Sequence, residues 1–288
     1  MKVRFPKHTT TLLKIGGSIA CLWYALTKPD WNQLRVAWEQ TSPAWLLVAL
    51  GSYTCSKLLA SRRLNINFRL IGIRLTESAN RRLFWLGMLY NLLLPGAITG
   101  DAYKVMVLGK DPTTSRKSLA LAVLLDRFSG LLPLLAIIAG LCLLVLPLSV
   151  WTILLTAGTL FIIPAAYGAL RMFVPEQAQG YFQTLWLGTL VQLLVVLTVL
   201  ALIGSMGIHA HVASFLLIFL AAAALSVLPI SVGGGLGIRE FASIQGAEWL
   251  GLPMEQALLL SLLFYAVTLL TALPGFLYIF RNPLAESK

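Results

Sequence analysis

The sequence has little charge, and less still of one sign. Only 11% of its 288 residues are Asp, Glu, Lys or Arg, and basic residues outnumber acidic ones 22 to 11. A soluble domain carries about 25% charged residues, so an ordinary globular protein is excluded. No polar stretch is long enough to form a separate soluble unit. The longest, Arg62–Arg82, still holds Phe68, Leu70, Ile71, Ile73 and Leu75, and residues 1–288 read as a single domain. Cysteine is scarce as well. Cys21, Cys55 and Cys142 lie in apolar runs without CxxC spacing, which excludes a disulfide framework and leaves them as small apolar residues. Of the three histidines, His209 and His211 fall in a predicted loop with no carboxylate nearby, so no metal site is expected. No Ser sits in G-x-S-x-G, and neither G-x-G-x-x-G nor a Walker A motif is present. The expectation is a protein without a cofactor and without a catalytic constellation of its own.

What the chain does have is apolar length. It is 58% hydrophobic with a mean hydropathy of +0.83. Several runs approach the ~20 residues that cross a bilayer as helix, and none alternates as a barrel strand would. The fold class is therefore all-α, a polytopic helical membrane protein. Six full spans are expected: Leu12–Thr27, Ala44–Ala60, Leu119–Pro147 with Asp126, Arg127 and Pro133 inside it, Trp151–Leu170, Leu185–Gly204 and Ala257–Phe280. No A-x-A site follows the first run, so it reads as an uncleaved span rather than a signal peptide. Most of the eight tryptophans flank these runs, as interfacial anchors do. The net charge of +11 does not point to nucleic acid, because the basic residues cluster beside the spans. Lys2, Arg4, Lys7 and Lys14 precede the first, and Arg62, Arg63, Arg69, Arg74, Arg81 and Arg82 follow the second. That is the positive-inside pattern, and both termini are expected in the cytoplasm if Val212–Leu250 is re-entrant from the outer face. Such loops also attract anionic headgroups.

Two stretches resemble each other and are wrong for a simple span. Asn91–Lys104 reads N-L-L-L-P-G-A-I-T-G-D-A-Y-K, and Leu228–Glu240 reads L-P-I-S-V-G-G-G-L-G-I-R-E. Pro95 with Gly100, and Pro229 with Gly234, Gly235 and Gly237, break the helix in each. Irregular backbone at membrane depth survives only when buried in protein or lining a watery cavity. Leu83–Leu94 is too short to cross and has basic loops on both sides, so Leu83–Val107 is expected to enter and return on one face. Val212–Leu250 is expected to do the same from the other face. Span, broken hairpin, span, repeated in opposite orientation, is an inverted repeat with a site between its halves. If the Gly-rich segment crosses instead, the spans number seven or eight.

Charges in such breaks point to function, since each costs roughly 2.5–3.5 kcal/mol at a helix centre. Asp101, Lys104, Asp126, Arg127, Arg239 and Glu240 are the candidates, with Asn91, Tyr103, Ser129, Ser226 and Ser231 as further lining. Asp126 and Arg127 are neighbours on a helix, so different partners are expected for them. One reading is a polar cavity where Arg127, Arg239 and Lys104 meet an anionic group, the guanidinium fork suiting phosphate. The other is that these charges pair among themselves and staple the broken helices together. The turn Gly233–Gly237 admits two readings likewise: backbone donors for a phosphate, or close helix contact through small residues.

Asn91-x3-Pro95-x4-Gly100-Asp101-x2-Lys104, Asp126-Arg127-x2-Gly130 and Pro229…Gly234-Gly235-x-Gly237-x2-Glu240 together resemble the lysylphosphatidylglycerol synthase transmembrane family, or flippase-like domain proteins. That family includes the membrane half of the bacterial multiple peptide resistance factor, and the likeness covers roughly residues 10–281. It implies a bacterial inner-membrane protein moving anionic phospholipids or polyprenyl-linked lipids between leaflets, with membrane lipids as its partners. A second copy of the chain or a lipid enzyme stands as a further partner. The family commonly has Gly-Gly-Asp and Arg where Thr99-Gly100-Asp101 and Lys104 stand here, and often Pro in place of Val232. Its aminoacyl-transferring domain lies outside these residues, so lipid synthesis is not expected of this polypeptide. A lipid translocase or scramblase leads. A non-catalytic subunit of a lipid enzyme and a membrane-embedded lipid-modifying enzyme are the alternatives.

Overall fold

The computed structural model describes residues 7–94, 98–110, 114–227, 234–280 and 284. Among them every regular element is helical. In chain order these are α1 (Lys7–Thr27), α2 (Trp31–Glu39), α3 (Pro43–Leu70), α4 (Glu77–Leu93), α5 (Thr99–Leu108) and α6 (Arg116–Val145). There follow α7 (Val150–Phe173), the short α8 (Pro175–Ala178), α9 (Tyr181–Ser205), α10 (Val212–Ser226), α11 (Ile238–Trp249), α12 (Met254–Ala272) and a 3₁₀ turn, Leu273–Tyr278. Local chemistry sets many of the starts. Asp30 accepts from Asn32 N at 2.8 Å ahead of α2, Pro43 occupies the first turn of α3, and the Thr76 hydroxyl accepts from Ala79 N at 3.2 Å ahead of α4.

Four helical segments are long and apolar enough to cross a membrane: Arg116–Val145, Val150–Phe173, Tyr181–Ser205 and Met254–Tyr278. This is the architecture of a multi-pass membrane protein. α3 has the length, at 28 residues, but carries Lys57, Arg62, Arg63 and Arg69. It also corrects the expected boundary. The helix does not stop at Ala60; it continues to Leu70, burying Arg63, Asn65, Asn67 and Phe68. A basic sequence here belongs to an interior helix, because the Asn65, Ser61 and Arg63 side chains find partners on α4 and α6, and Gln177 of α8 donates to Asn67 O. Likewise α10 ends at Ser226 rather than near Val232, and α12 tightens into a 3₁₀ turn at Pro274.

α3 and α9 form the central pair and run antiparallel. Ser42 N donates to Ser205 O at 2.8 Å at one end, Ser52 and Thr198 hydroxyls meet at 2.9 Å midway, and Gly180 lies against Leu70 at the other end. α4 begins at the Leu70 end of this pair, where Asn80 donates to Ser61 O and Asn65 to Glu77. It runs inward and pairs antiparallel with α5, Asn91 Oδ1 accepting from Gly100 N at 2.8 Å while Gly87 faces Lys104. α5 returns to the same end, where Leu108 joins Leu64, Phe68 and Leu119. The second hairpin, α10 with α11, starts from the opposite end, following Ser205; Ile218 meets Gly246, and Ser226 meets Gly235. Each hairpin contacts the helix that follows it in sequence and also the last long helix of the other half: α4 touches α12, and α10 touches α6. The residues at the two breaks, Pro95 with Gly96 and Ala97, and Pro229 with Ser231, Val232 and Gly233, lie outside the described residues.

Charge divides the two ends of the bundle. The end holding the α3–α4, α5–α6 and α7–α9 connections carries Arg69, Arg74, Arg81, Arg82, Lys110, Arg116, Lys117 and Arg171 among its described residues, against Glu77 and Glu176. The opposite end carries Lys28 and Arg35 against Asp30, Glu39, Glu248 and Glu255.

Candidate functional site

Three of the long helices, α3, α6 and α9, together with the first hairpin, surround a cavity of about 300 Å³. Its wall contains Lys57 and Arg63 from α3, Asn91 from α4, Asp101 and Lys104 from α5, Asp126 and Arg127 from α6, and Gln192 from α9. Val227, at the C-terminal end of α10, closes it from the second hairpin. The cavity is thus built by the α4–α5 hairpin and by the meeting of α3, α6 and α9.

The first hairpin closes so tightly that its glycines are obligatory. A Cβ on Gly100 would overlap the Gly87 carbonyl, and one on Gly87 would lie 2.6 Å from Lys104 Cε. That close approach carries Asp101 and Lys104 inward; both are buried and bond to each other at 2.9 Å. The other Asp101 oxygen accepts from Arg127 Nε. Asp126, one residue earlier on α6, points elsewhere and takes a two-pronged bond from Arg63, at 2.8 and 3.3 Å. Adjacent helix positions diverge by about 100°, which is why Asp126 and Arg127 serve different partners.

Among the described residues four cations and two carboxylates line this space, a net charge of +2. Lys57 has no carboxylate within ion-pair distance among the described residues and rests its ammonium over the Tyr53 ring at 4.3 Å. Arg63 is 95% buried, and its Nη1 has no hydrogen-bond partner among the described residues. Room for that guanidinium comes from Gly130, where a Cβ would stand 2.7 Å from Nη1. Pro133 lacks the N–H that would bond Ser129 O, and α9 fits into the resulting irregularity. A Cβ on Gly188 would overlap the Ser129 carbonyl, and Gln192 donates to Gly130 O at 2.9 Å. An uncompensated positive charge away from water is costly, and an anion relieves it. The arrangement is chemically suited to holding a phosphate.

Arg239 and Glu240 are not among the residues lining this cavity. They form a separate, closed cluster between α11 and α12. Glu240 Oε2 accepts from Gly237 N at 2.6 Å as the N-terminal cap of α11. Its Oε1 accepts from Ser261 Oγ at 2.8 Å and from Arg239 at 2.9 Å, while Arg239 Nε donates to Ser261 Oγ at 2.8 Å. Phe264, 5.4 Å from the guanidinium, adds a ring beneath it. Gly234, Gly235 and Gly237 all have positive φ, and a Cβ on Gly237 would strike the Ser18 carbonyl of α1. These glycines serve a turn and a close helix crossing.

Of the sequence-derived candidates, the structure brings Asn91, Asp101, Lys104, Asp126 and Arg127 together, with Gly100 shaping their hairpin. Tyr103 instead packs edge-on against Tyr90, Ser129 faces an apolar cleft between α6 and α7, and Ser226 packs against Gly235. Sequence reasoning missed Lys57, Arg63 and Gln192. Arg63 was hidden in an Arg-Arg pair that reads as a topology signal; its one clue was that Asp126 needs a partner other than Arg127.

No curated protein matches the chain. A family model, that of the lysylphosphatidylglycerol synthase transmembrane region, matches residues 11–275 and so takes in both hairpins, the central pair and the cavity. On that match, and with its bundle of long apolar helices, this chain belongs to the lysylphosphatidylglycerol synthase transmembrane-region family, a family of multi-pass membrane proteins connected with lipids.

Proposed function

We propose that the protein is a lipid translocase or scramblase, moving anionic phospholipids or lipid-linked phosphates between the leaflets of the bacterial inner membrane. The observation that carries this reading is the cavity at the heart of the bundle, whose described lining has four cations and two carboxylates. Lys57, Arg63, Lys104 and Arg127 attract the headgroup phosphate; Asp101 and Asp126 hold three of those cations in place. The two hairpins, starting from opposite ends of the α3–α9 pair, fit an inverted repeat of re-entrant elements, whose relative movement would open the cavity to one leaflet and then the other. Arg239 and Glu240 fasten the second hairpin to α12. The strongly basic end faces the cytoplasm, as the positive-inside bias requires, and both chain ends lie there.

Translocation of a fluorescent anionic phospholipid in proteoliposomes tests this. Wild-type protein should accelerate exchange, and Lys57→Gln with Arg127→Gln should slow it about tenfold or more, while a neutral zwitterionic probe responds less. Folded wild-type protein that moves no anionic lipid, with or without an ion gradient, refutes the reading.

A second reading, a subunit that positions a lipid enzyme, draws on α7. That helix buries no residue and leaves Val150, Trp151, Leu154, Phe161 and Phe173 exposed. Stable co-purification with such an enzyme, and unchanged lipid output in Lys57→Gln, would favour it.

A further inference from the structure

A second basic cleft lies outside the cavity, on the flank of the bundle between α3, α4 and the 3₁₀ turn. Its volume is about 430 Å³, and its wall includes Ser78, Arg81, Arg82, Trp85 and Tyr278. Three local facts shape it. The Trp85 indole donates to Thr271 O at 2.8 Å, which clamps α4 to the end of α12 and turns the ring into a wall. Gly275 allows that approach, since a Cβ there would stand 2.7 Å from Trp85 O. Pro274 tightens the chain into the 3₁₀ turn, and Tyr278 thereby reaches the level of Arg81 and Arg82, one turn inside the N-terminus of α4. The cleft therefore sits at the basic end of the bundle.

We infer that this cleft binds the phosphate headgroup of an anionic membrane lipid, at a site distinct from the translocation cavity. Two guanidinium groups stand in its wall, and the fork of the exposed Arg81 matches a phosphate oxygen pair. The Ser78 and Tyr278 hydroxyls lie within the same wall. A lipid rather than a soluble anion is the fitting occupant because the cleft is bordered by apolar surface. Leu273, Phe276 and Leu277 on the 3₁₀ turn are 44, 45 and 68% exposed, and Leu58 lines the cleft from α3. A headgroup on Arg81 and Arg82 leaves its acyl chains lying along those side chains. Basic pockets between transmembrane helices near the cytoplasmic surface recognise anionic headgroups in this way. None of the cavity-lining residues contributes to the cleft, so the inference does not depend on translocation.

Native mass spectrometry of the full chain in detergent micelles, titrated with phosphatidylglycerol and with phosphatidylcholine, tests the site. Arg81 is exposed, so Arg81→Gln leaves the fold intact even if Arg81→Gln/Arg82→Gln does not. Wild type should retain phosphatidylglycerol over phosphatidylcholine. Arg81→Gln should weaken the tightest phosphatidylglycerol by about fivefold, one surface arginine being worth roughly that factor, and the double variant should weaken it further. Lys57→Gln, in the cavity, should leave this binding step unchanged. Unaltered phosphatidylglycerol retention in folded Arg81→Gln overturns the proposal. So does displacement of the lipid by free glycerol phosphate at the same concentration, which would make the occupant a soluble anion.

Discussion

Arg63 and Asp126 stand 63 positions apart and meet in a two-pronged ion pair, with Arg63 Nε 2.8 Å from Asp126 Oδ1, which ties α3 to α6 beside the cavity. Both residues are buried, so neither charge can fall back on water. Removing one partner of such a pair costs about 3–5 kcal/mol, whereas replacing both with apolar groups is often neutral. Asp126→Ala should therefore lower thermal stability in detergent sharply, and Arg63→Met/Asp126→Leu should recover most of the loss. Equal damage from the double variant would mean that Arg63 is needed for more than its pairing.

The hairpin of α4 and α5 gives a second prediction. Gly100 has no room for a methyl group, because the obstacle is the Gly87 backbone and not a side chain that can rotate away. Overpacking a core commonly costs about 1–3 kcal/mol, and a rigid obstacle places Gly100→Ala at or above the top of that range. Thermal unfolding should show the loss, with Gly140→Ala as control, since a Cβ at Gly140 meets nothing within 4 Å. A Gly100→Ala protein as stable as wild type would show that the hairpin opens freely.

These two cases mark what the sequence made legible. Long apolar runs fixed the helical class, and Pro with Gly marked both breaks, because neither residue suits a helix interior. Asp101, Lys104, Asp126 and Arg127 stood out since charge in an apolar run is costly. Arg63 and Lys57 did not, because basic residues at a span's end have an ordinary explanation in topology. Arg239 and Glu240 looked equivalent to Asp101 and Lys104 in sequence. What separates them is Ser261, a residue 21 positions later that completes their bonding and whose role only the fold shows. Trp85 is the parallel case among the tryptophans: it is buried as a clamp, whereas Trp23, Trp151 and Trp249 are exposed.

The two charge clusters should respond oppositely to substitution. Lys57→Gln removes a half-buried cation that has no carboxylate partner among the described residues, so stability should change by less than about 1 kcal/mol while anionic-lipid exchange slows. Glu240→Gln breaks a closed network in which one carboxylate takes three hydrogen bonds, so stability should fall by about 2 kcal/mol or more. Melting temperature and lipid exchange, measured on the same preparations, separate the two. A Glu240→Gln protein with normal stability and no exchange would move the second cluster into the functional site.

The last prediction concerns which side each hairpin opens toward. Leu108 joins Leu64 and Phe68, so α5 ends where α4 began, and Ser78 and Lys110 belong to one end of the bundle. Glu248, near the end of α11, belongs to the opposite end of the bundle, because α10 follows Ser205 at that end of the α3–α9 pair. After the three native cysteines are replaced, Ser78→Cys, Lys110→Cys and Glu248→Cys can be labelled one at a time with a membrane-impermeant maleimide in intact cells. Ser78→Cys and Lys110→Cys should react only after the membrane is opened, since a side dense in arginine is retained in the cytoplasm, and Glu248→Cys should react at once. Opposite labelling of Ser78→Cys and Lys110→Cys would mean that α4 and α5 cross the bilayer together, and the inverted repeat would then fail with them.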